Sequence, residues 1–283
     1  MAKIGIRSYF YEIGENKDEN GDFRLNLESD GRYPHEALRE AIRERIKSVK
    51  PFGKAAFIYV ASPSLGYSED KTLPTVKSNV GYIASCFARE FKYDFSLLEI
   101  DANLCGSGAS AIKKAQTLLN ADFDSVAILG ANFINPDTKK IFSELKIDMP
   151  LCEAYACFIL SKNGFKKEIS GANVTANLKD SSPLSVSKEG YLRSLKWAKN
   201  LNIYGVKAHA TPTKANECEA VAIKTIFGDI KTLGYKERIG HSLDISALAE
   251  LGLFLDEDRG GRWLFSASGF GNIYASFAVN RAD

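Results

Sequence analysis

The chain runs twice through one succession of short apolar and amphipathic segments, and that repetition limits the folds open to it. In the first half, residues 3–10 read as a strand. Pro34 opens a helix whose Leu38, Ile42 and Ile46 share one face at i+4 spacing. Residues 55–61 form a buried strand, and Pro74 begins a helix with Val76, Val80, Ile83 and Phe87 along one side. Leu97, Leu98 and Ile100 predict a third buried strand, followed by a helix with Ile112, Ala115 and Leu119 inward, then strands at 126–129 and 154–160. The second half starts again with a strand at 170–178, a helix at 190–199, a strand at 203–208 and a helix at 215–227. A helix with Ile245, Leu248 and Leu251 or Leu253 inward comes next, and strands at 263–267 and 273–279 close the chain. Such alternation predicts mostly parallel sheets covered by helices, with a site between the halves at their strand ends. Two stretches stand outside it: the polar segment 15–32, an exposed loop or hairpin, and the unpatterned connection 132–150.

With 283 residues the chain can bury one large core or two closely packed halves. Its formal net charge of +2, with lysines and acids interspersed, leaves no footprint for nucleic acid or an anionic membrane. The start MAKIGIRSYFY lacks the basic-then-apolar layout of a signal peptide, and no apolar run reaches membrane-spanning length, so a cytoplasmic location is expected. Five scattered cysteines without a CxxC pair argue against a disulfide framework and a structural zinc site. GxGxxG, P-loop and HExxH motifs are all missing, so no metal or nucleotide is expected.

Candidate chemistry centres on Cys105, at a sharp strand-to-helix junction between Leu104 and Gly106-Ser107-Gly108. Backbone N–H groups and the positive end of the helix dipole favour thiolate there. Glycines let a substrate carbonyl approach the backbone, where paired N–H groups stabilise an oxyanion. A free cysteine is more often a small inert core residue, and this stretch alone does not decide between the two. Of three histidines, His209 lies in HATPT and His241 in KERIGH, both ending strands or turns in the second half. His35, beside Pro34 at a helix start, reads as a surface residue.

Taken together, these motifs resemble the β-ketoacyl-acyl-carrier-protein synthases, the decarboxylating condensing enzymes of fatty-acid and polyketide synthesis. Leu104-Cys105-Gly106-Ser107-Gly108 matches the nucleophile turn of that family, HATPT its first histidine motif, and KERIGH its lysine and second histidine. Ser268-Gly269-Phe270-Gly271-Asn272 resembles its C-terminal glycine-rich loop, and CEAYACFIL its glutamate-led strand. The resemblance implies an α/β thiolase-like fold of two βαβαβαββ halves packed in a five-layered αβαβα core. Residues 1–163 would be the N-terminal half with Cys105, and 164–283 the C-terminal half with both histidine motifs.

The implied reaction is decarboxylative Claisen condensation of malonyl-acyl carrier protein with an acyl thioester on Cys105. His209 and His241 would donate hydrogen bonds to the forming enolate. Phe270 would be the gate, its N–H completing an oxyanion hole with Gly269 and Gly271 around it. Thr211 and Thr213 would bind the pantetheine amides. Lys236 would be held by Glu250 with Glu153 nearby. No cofactor is implied beyond the phosphopantetheine of acyl carrier protein, and the implied partners are that carrier and a second ketosynthase, as homodimer or heterodimer. Departures are a trimmed length, Ala210 and Asn272 where the family has glycine, and Asn216 where Asp is usual in NECE (216–219). The alternative is a non-catalytic chain-length-determining partner of a full-length ketosynthase; retention of Cys105, His209 and His241 favours the enzyme.

Overall fold

A computed structural model describes residues 3–27, 33–68, 72, 75–144, 147–179, 182, 185–257, 259–269 and 271–281. The first half comprises strands β1 (Ile4–Ile13), β2 (Asn16–Lys17) and β3 (Phe23–Arg24), helix α1 (Pro34–Ile46), β4 (Ala55–Val60), α2 (Val80–Glu90) and β5 (Leu97–Asp101). It continues through α3 (Ser107–Ala121), β6 (Ser125–Asn132), α4 (Pro136–Glu144) and β7 (Ala154–Ser161). The second half comprises β8 (Lys167–Ala176), α5 (Lys188–Leu195), β9 (Gly205–Lys207), α6 (Lys214–Phe227), β10 (Lys231–Leu233), the one-turn α7 (Lys236–Ile239), α8 (Ser246–Asp256), β11 (Gly261–Gly269) and β12 (Ile273–Arg281).

Ten of the strands form one sheet in the order β10-β9-β11-β12-β8-β1-β7-β6-β4-β5. Read outward from its centre, each side has the same connectivity: β1-β7-β6-β4-β5 on one, β8-β12-β11-β9-β10 on the other. The three outermost strands of each side are parallel, and the inner pairings are antiparallel. Within the sheet the two sides meet through β1 and β8, with the pairs Ile4–Ile169, Gly5–Glu168 and Ile6–Lys167.

Side-chain alternation sorts the helices into layers. Phe57 and Tyr59 of β4 pack outward with Leu38 and Ile42 of α1 and Ile83 and Phe87 of α2. Ala56, Ile58 and Val60 point the other way, into a core shared with Ile112 of α3, Leu248 of α8, and Phe265 and Phe277 of the second half. Tyr191 and Leu195 of α5 and Ala222 and Ile223 of α6 cover the far face. The layers are therefore α1/α2, the first-half side of the sheet, α3/α8, its second-half side, and α5/α6, the five-layered α/β arrangement expected. Strands buried on both faces read as unbroken apolar runs, which is why β4 and β6 were legible.

Several local expectations change. The 97–101 strand is the sheet's edge, with Leu98 38% exposed, because parallel pairing to β4 satisfies only one of its sides. The helix expected from Pro74 starts at Val80, where the Asn79 side chain accepts the N–H groups of Gly81 and Tyr82; Val76 is left 61% exposed in a 3₁₀ turn. The polar segment contains the β2–β3 hairpin. His35 is fully buried: it stacks on Tyr33 at 5.5 Å, and its Nε2 lies 3.1 Å from the carbonyl of Lys77.

Candidate active site

Cys105 lies in a 3₁₀ turn (Leu104–Gly106) between β5 and α3. Asp101, buried at the end of β5, accepts hydrogen bonds from Asn103 at 2.9 Å and the Ser110 hydroxyl at 2.6 Å, so strand end, turn and helix are tied together. Leu104 takes a φ of +49°, a left-handed conformation unusual for a branched residue, and so bends the chain sharply before the sulfur. Gly269 comes so close that a Cβ there would collide with the Asn103 carbonyl, which explains the glycine. The half-buried Cys105 opens onto two cavities. The outer one, about 280 Å³, is also lined by His209, His241, Thr211, Thr213 and Gly269. The inner one, about 640 Å³, extends on the first-half side past Phe142.

His209 follows β9, in a loop held by the Glu219 carboxylate of α6, which accepts the N–H of His209 at 2.8 Å and of Ala210 at 3.0 Å. The Lys236 ammonium sits 3.2 Å from His209 Nδ1 and also donates to the His209 carbonyl. An ammonium can only donate, so Nδ1 carries the lone pair and Nε2 the proton. His241 follows Gly240, whose φ of +76° and approach to the carbonyls of Pro150 and Leu151 leave no room for a side chain. Its backbone is clamped by the N–H of His241 donating to Pro150 and the N–H of Cys152 donating to His241. The Leu243 N–H donates to His241 Nδ1 at 3.1 Å, with the Ser246 hydroxyl 2.9 Å from the same atom. His241 is thus also an Nε2–H tautomer. The two rings stand 5.6 Å apart, nearly perpendicular.

Burial, followed by the charge of Lys236, holds both imidazoles well below the usual histidine range, so they are neutral donors at physiological pH. Burial draws Lys236 down to about 8. Cys105 differs from the thiolate expected: burial, then the Asp244 carboxylate, push its thiol up to about 12. Desolvation of the charged form outweighs the few N–H groups at a one-turn junction.

The structure thus brings Cys105, His209, His241, Lys236, Thr211, Thr213, Gly269 and Glu250 together. Glu250 lies 3.4 Å from Lys236, as expected, and is shared with a second buried lysine, Lys207, that sequence reasoning missed. A lysine between Val206 and Ala208 in a core strand was the available signal. Glu153 is elsewhere: it binds Arg24 at 2.8 Å and accepts the N–H of Leu25 and Ile134, bracing the hairpin and the end of β6 rather than Lys236. Thr211 Oγ1 is buried without a partner among the described residues, whereas Thr213 caps α6 by accepting from Ala215 N–H. Gly271, at φ +81°, turns β11 into β12 and does not line the cavity. Phe270 lies outside the described residues. No cluster of three metal-ligating side chains, and no helix long and apolar enough to cross a membrane, occurs among the described residues.

No family model matches the chain, and no curated protein matches it. Solved structures do. The ketosynthase from module 6 of the bacillaene synthase from Bacillus subtilis 168 aligns with a TM-score of 0.78 at 12% identity, over 99% of this chain and 72% of that one. A type II polyketide synthase acyl-carrier protein in complex with its ketosynthase bound to the hexaketide (AntDE:AntF) gives 0.76 at 13%, over 99% and 100%. The ketosynthase ApeO in complex with its chain length factor ApeC, from Xenorhabdus doucetiae, gives 0.76 at 14%, over 99% and 98%. The chain has the thiolase-like fold of these ketosynthases.

Proposed function

We propose that the chain is a condensing acyltransferase of the 3-oxoacyl-acyl-carrier-protein synthase type, acting in fatty-acid or polyketide-type elongation in the cytoplasm. The observation that carries this reading is the shared cavity, where one thiol meets two imidazoles both held as Nε2–H donors. Residues 1–163 supply the sulfur and 164–283 the imidazoles. Cys105 attacks the thioester of an acyl group carried on phosphopantetheine. The acyl carbon–sulfur bond moves to Cys105, and the thiol proton ends on the departing pantetheine sulfur. Malonyl carrier then enters the outer cavity, with the Thr211 and Thr213 hydroxyls beside its amides. Carbon dioxide leaves, and the electron pair of the broken bond is delocalised onto the thioester oxygen, which accepts from His209 and His241. The enolate carbon attacks the acyl carbonyl, Cys105 is expelled as thiolate, and it is reprotonated as the 3-oxoacyl product leaves. Lys236 and Glu250 orient the imidazoles, and no cofactor is required.

Acyl carrier protein is the proposed partner, with a second ketosynthase chain as homodimer or heterodimer. Intact-mass spectrometry after incubation with acyl carrier protein should show an acyl adduct that Cys105→Ala removes. An enzyme that takes no acyl group of any length supports the chain-length-determining partner instead.

A further inference from the structure

The repeat that builds the two halves extends to the nucleophile turn itself. Asn103 has φ/ψ of −97°/27° and its counterpart Ser242 −92°/29°; Leu104 and Leu243 have φ of +49° and +45°. Gly106 (−86°/−11°) corresponds to Ile245 (−101°/3°), and Ser107 (−59°/−46°) to Ser246 (−48°/−46°). Asp244 therefore stands in the second half where Cys105 stands in the first, at the head of the other middle helix. Both line the inner cavity.

Asp244 is only 2% exposed; the Ser62 hydroxyl hydrogen-bonds its carboxyl, while Oδ1 has no partner among the described residues. A buried carboxyl oxygen left unpaired is costly, and the structure supplies no reason for it in the fold. Beside it on the same wall, the Ser62 and Ser64 hydroxyls bond each other at 2.7 Å and reach Asn132 Oδ1 at 3.3 Å. The lining also includes the apolar Leu104, Ile141 and Phe142, and the polar Asn135, Asp137 and Thr138. A chain filling this space meets hydrocarbon together with the Asp244 carboxyl. The turns 104–106 and 243–245 that carry Cys105 and Asp244 pack against each other and line one cavity, so the polar contact falls near the thioester rather than at the far end of the chain.

We propose that the inner cavity is a specificity site for oxygenated acyl chains, with Asp244 hydrogen-bonding a hydroxyl or keto oxygen within the first few carbons of the thioester. The proposal rests on the reading of Cys105 as the acylated residue. Burial holds the Asp244 carboxyl up to about 7, so near neutral pH it can donate as well as accept. An oxygenated chain gains a hydrogen bond at Oδ1 that a saturated chain cannot make, which favours its loading about tenfold.

The test loads the full-length chain with N-acetylcysteamine thioesters of hexanoate and of 3-hydroxyhexanoate, following the Cys105 adduct by intact mass. The expected result is loading of the hydroxylated chain at least tenfold faster. Asp244→Asn, which keeps donor and acceptor, should preserve the preference, and Asp244→Leu should level or reverse it. Asp244→Ala carries the same expectation as Asp244→Leu should the larger side chain not fold. Equal rates in the unaltered protein, or a preference that survives Asp244→Leu or Asp244→Ala, overturn the specificity site while leaving Cys105 as the acylated residue. Absence of any adduct from either thioester overturns the acyl-enzyme reading, and this one with it.

Discussion

The imidazole protons are placed by neighbours that leave no choice: an ammonium against His209 and a backbone N–H against His241. The proposed mechanism turns on this. His209→Ala or His241→Ala should leave acylation of Cys105 within a fewfold of the unaltered chain and lower the condensation rate about 10²–10³-fold, the usual cost of one oxyanion donor. Comparing single-turnover loading with product formation separates the two, and parallel loss of both contradicts the roles. Cys105 at rest is a thiol, so at pH 8 its alkylation by iodoacetamide should be far slower than that of a free thiol, which is a large fraction thiolate there. Fast labelling, mapped by peptide mass, contradicts a thiol that ionises only as substrate arrives. Cysteine and histidine were readable as candidates because few residue types do such chemistry and each stood at the end of a strand or turn. Lys207 and Asp244 were not, since charged residues in a sequence read as surface until burial is known.

At the scale of elements, the site is made by close approaches of backbone. Gly269 of β11 lies against the turn carrying Cys105, and a Cβ there would push into the Asn103 carbonyl and approach Gly106 N at 2.9 Å. Gly269→Ala should therefore displace the sulfur and slow Cys105 loading by at least tenfold, measured on protein whose circular dichroism is unchanged. In α8, Glu250 faces two buried lysines. Glu250→Gln leaves both without their shared carboxylate and should destabilise the fold by about 3–5 kcal/mol, read as a midpoint shift in urea unfolding. Strands buried on both faces declared themselves as apolar runs, and helices by period. β5 was legible as a strand but not as an edge, because Leu98 is apolar yet exposed, and β10 escaped notice as three residues in a polar stretch. Neither is distinguished by composition; both are set by which neighbour happens to pair with them.

For the whole molecule, the burial of ionisable groups predicts a stability that declines on acidification. The unfolded chain takes up protons at His209 and His241 as pH falls through about 6.5, whereas the fold, with both pKa values depressed, does not. Asp244 works in the opposite sense, since the fold retains a proton up to about pH 7 that the unfolded chain has already released. Lys207, drawn well below the usual lysine range by burial, adds to the histidines, so the unfolded state takes up the greater number of protons and stability falls as the pH drops below about 6. His35, lowered by burial as well, adds in the same direction. Urea midpoints at pH 7.5 and 5.5 check this, and a midpoint that rises on acidification contradicts it.

The single sulfur shared by two cavities has a further consequence for the order of events. If the larger cavity takes the acyl chain, as proposed, the space beside Cys105 that remains among the described residues is the one the first pantetheine would vacate. The proposed reaction should then follow a ping-pong course, with parallel double-reciprocal plots and each carrier competing with the other.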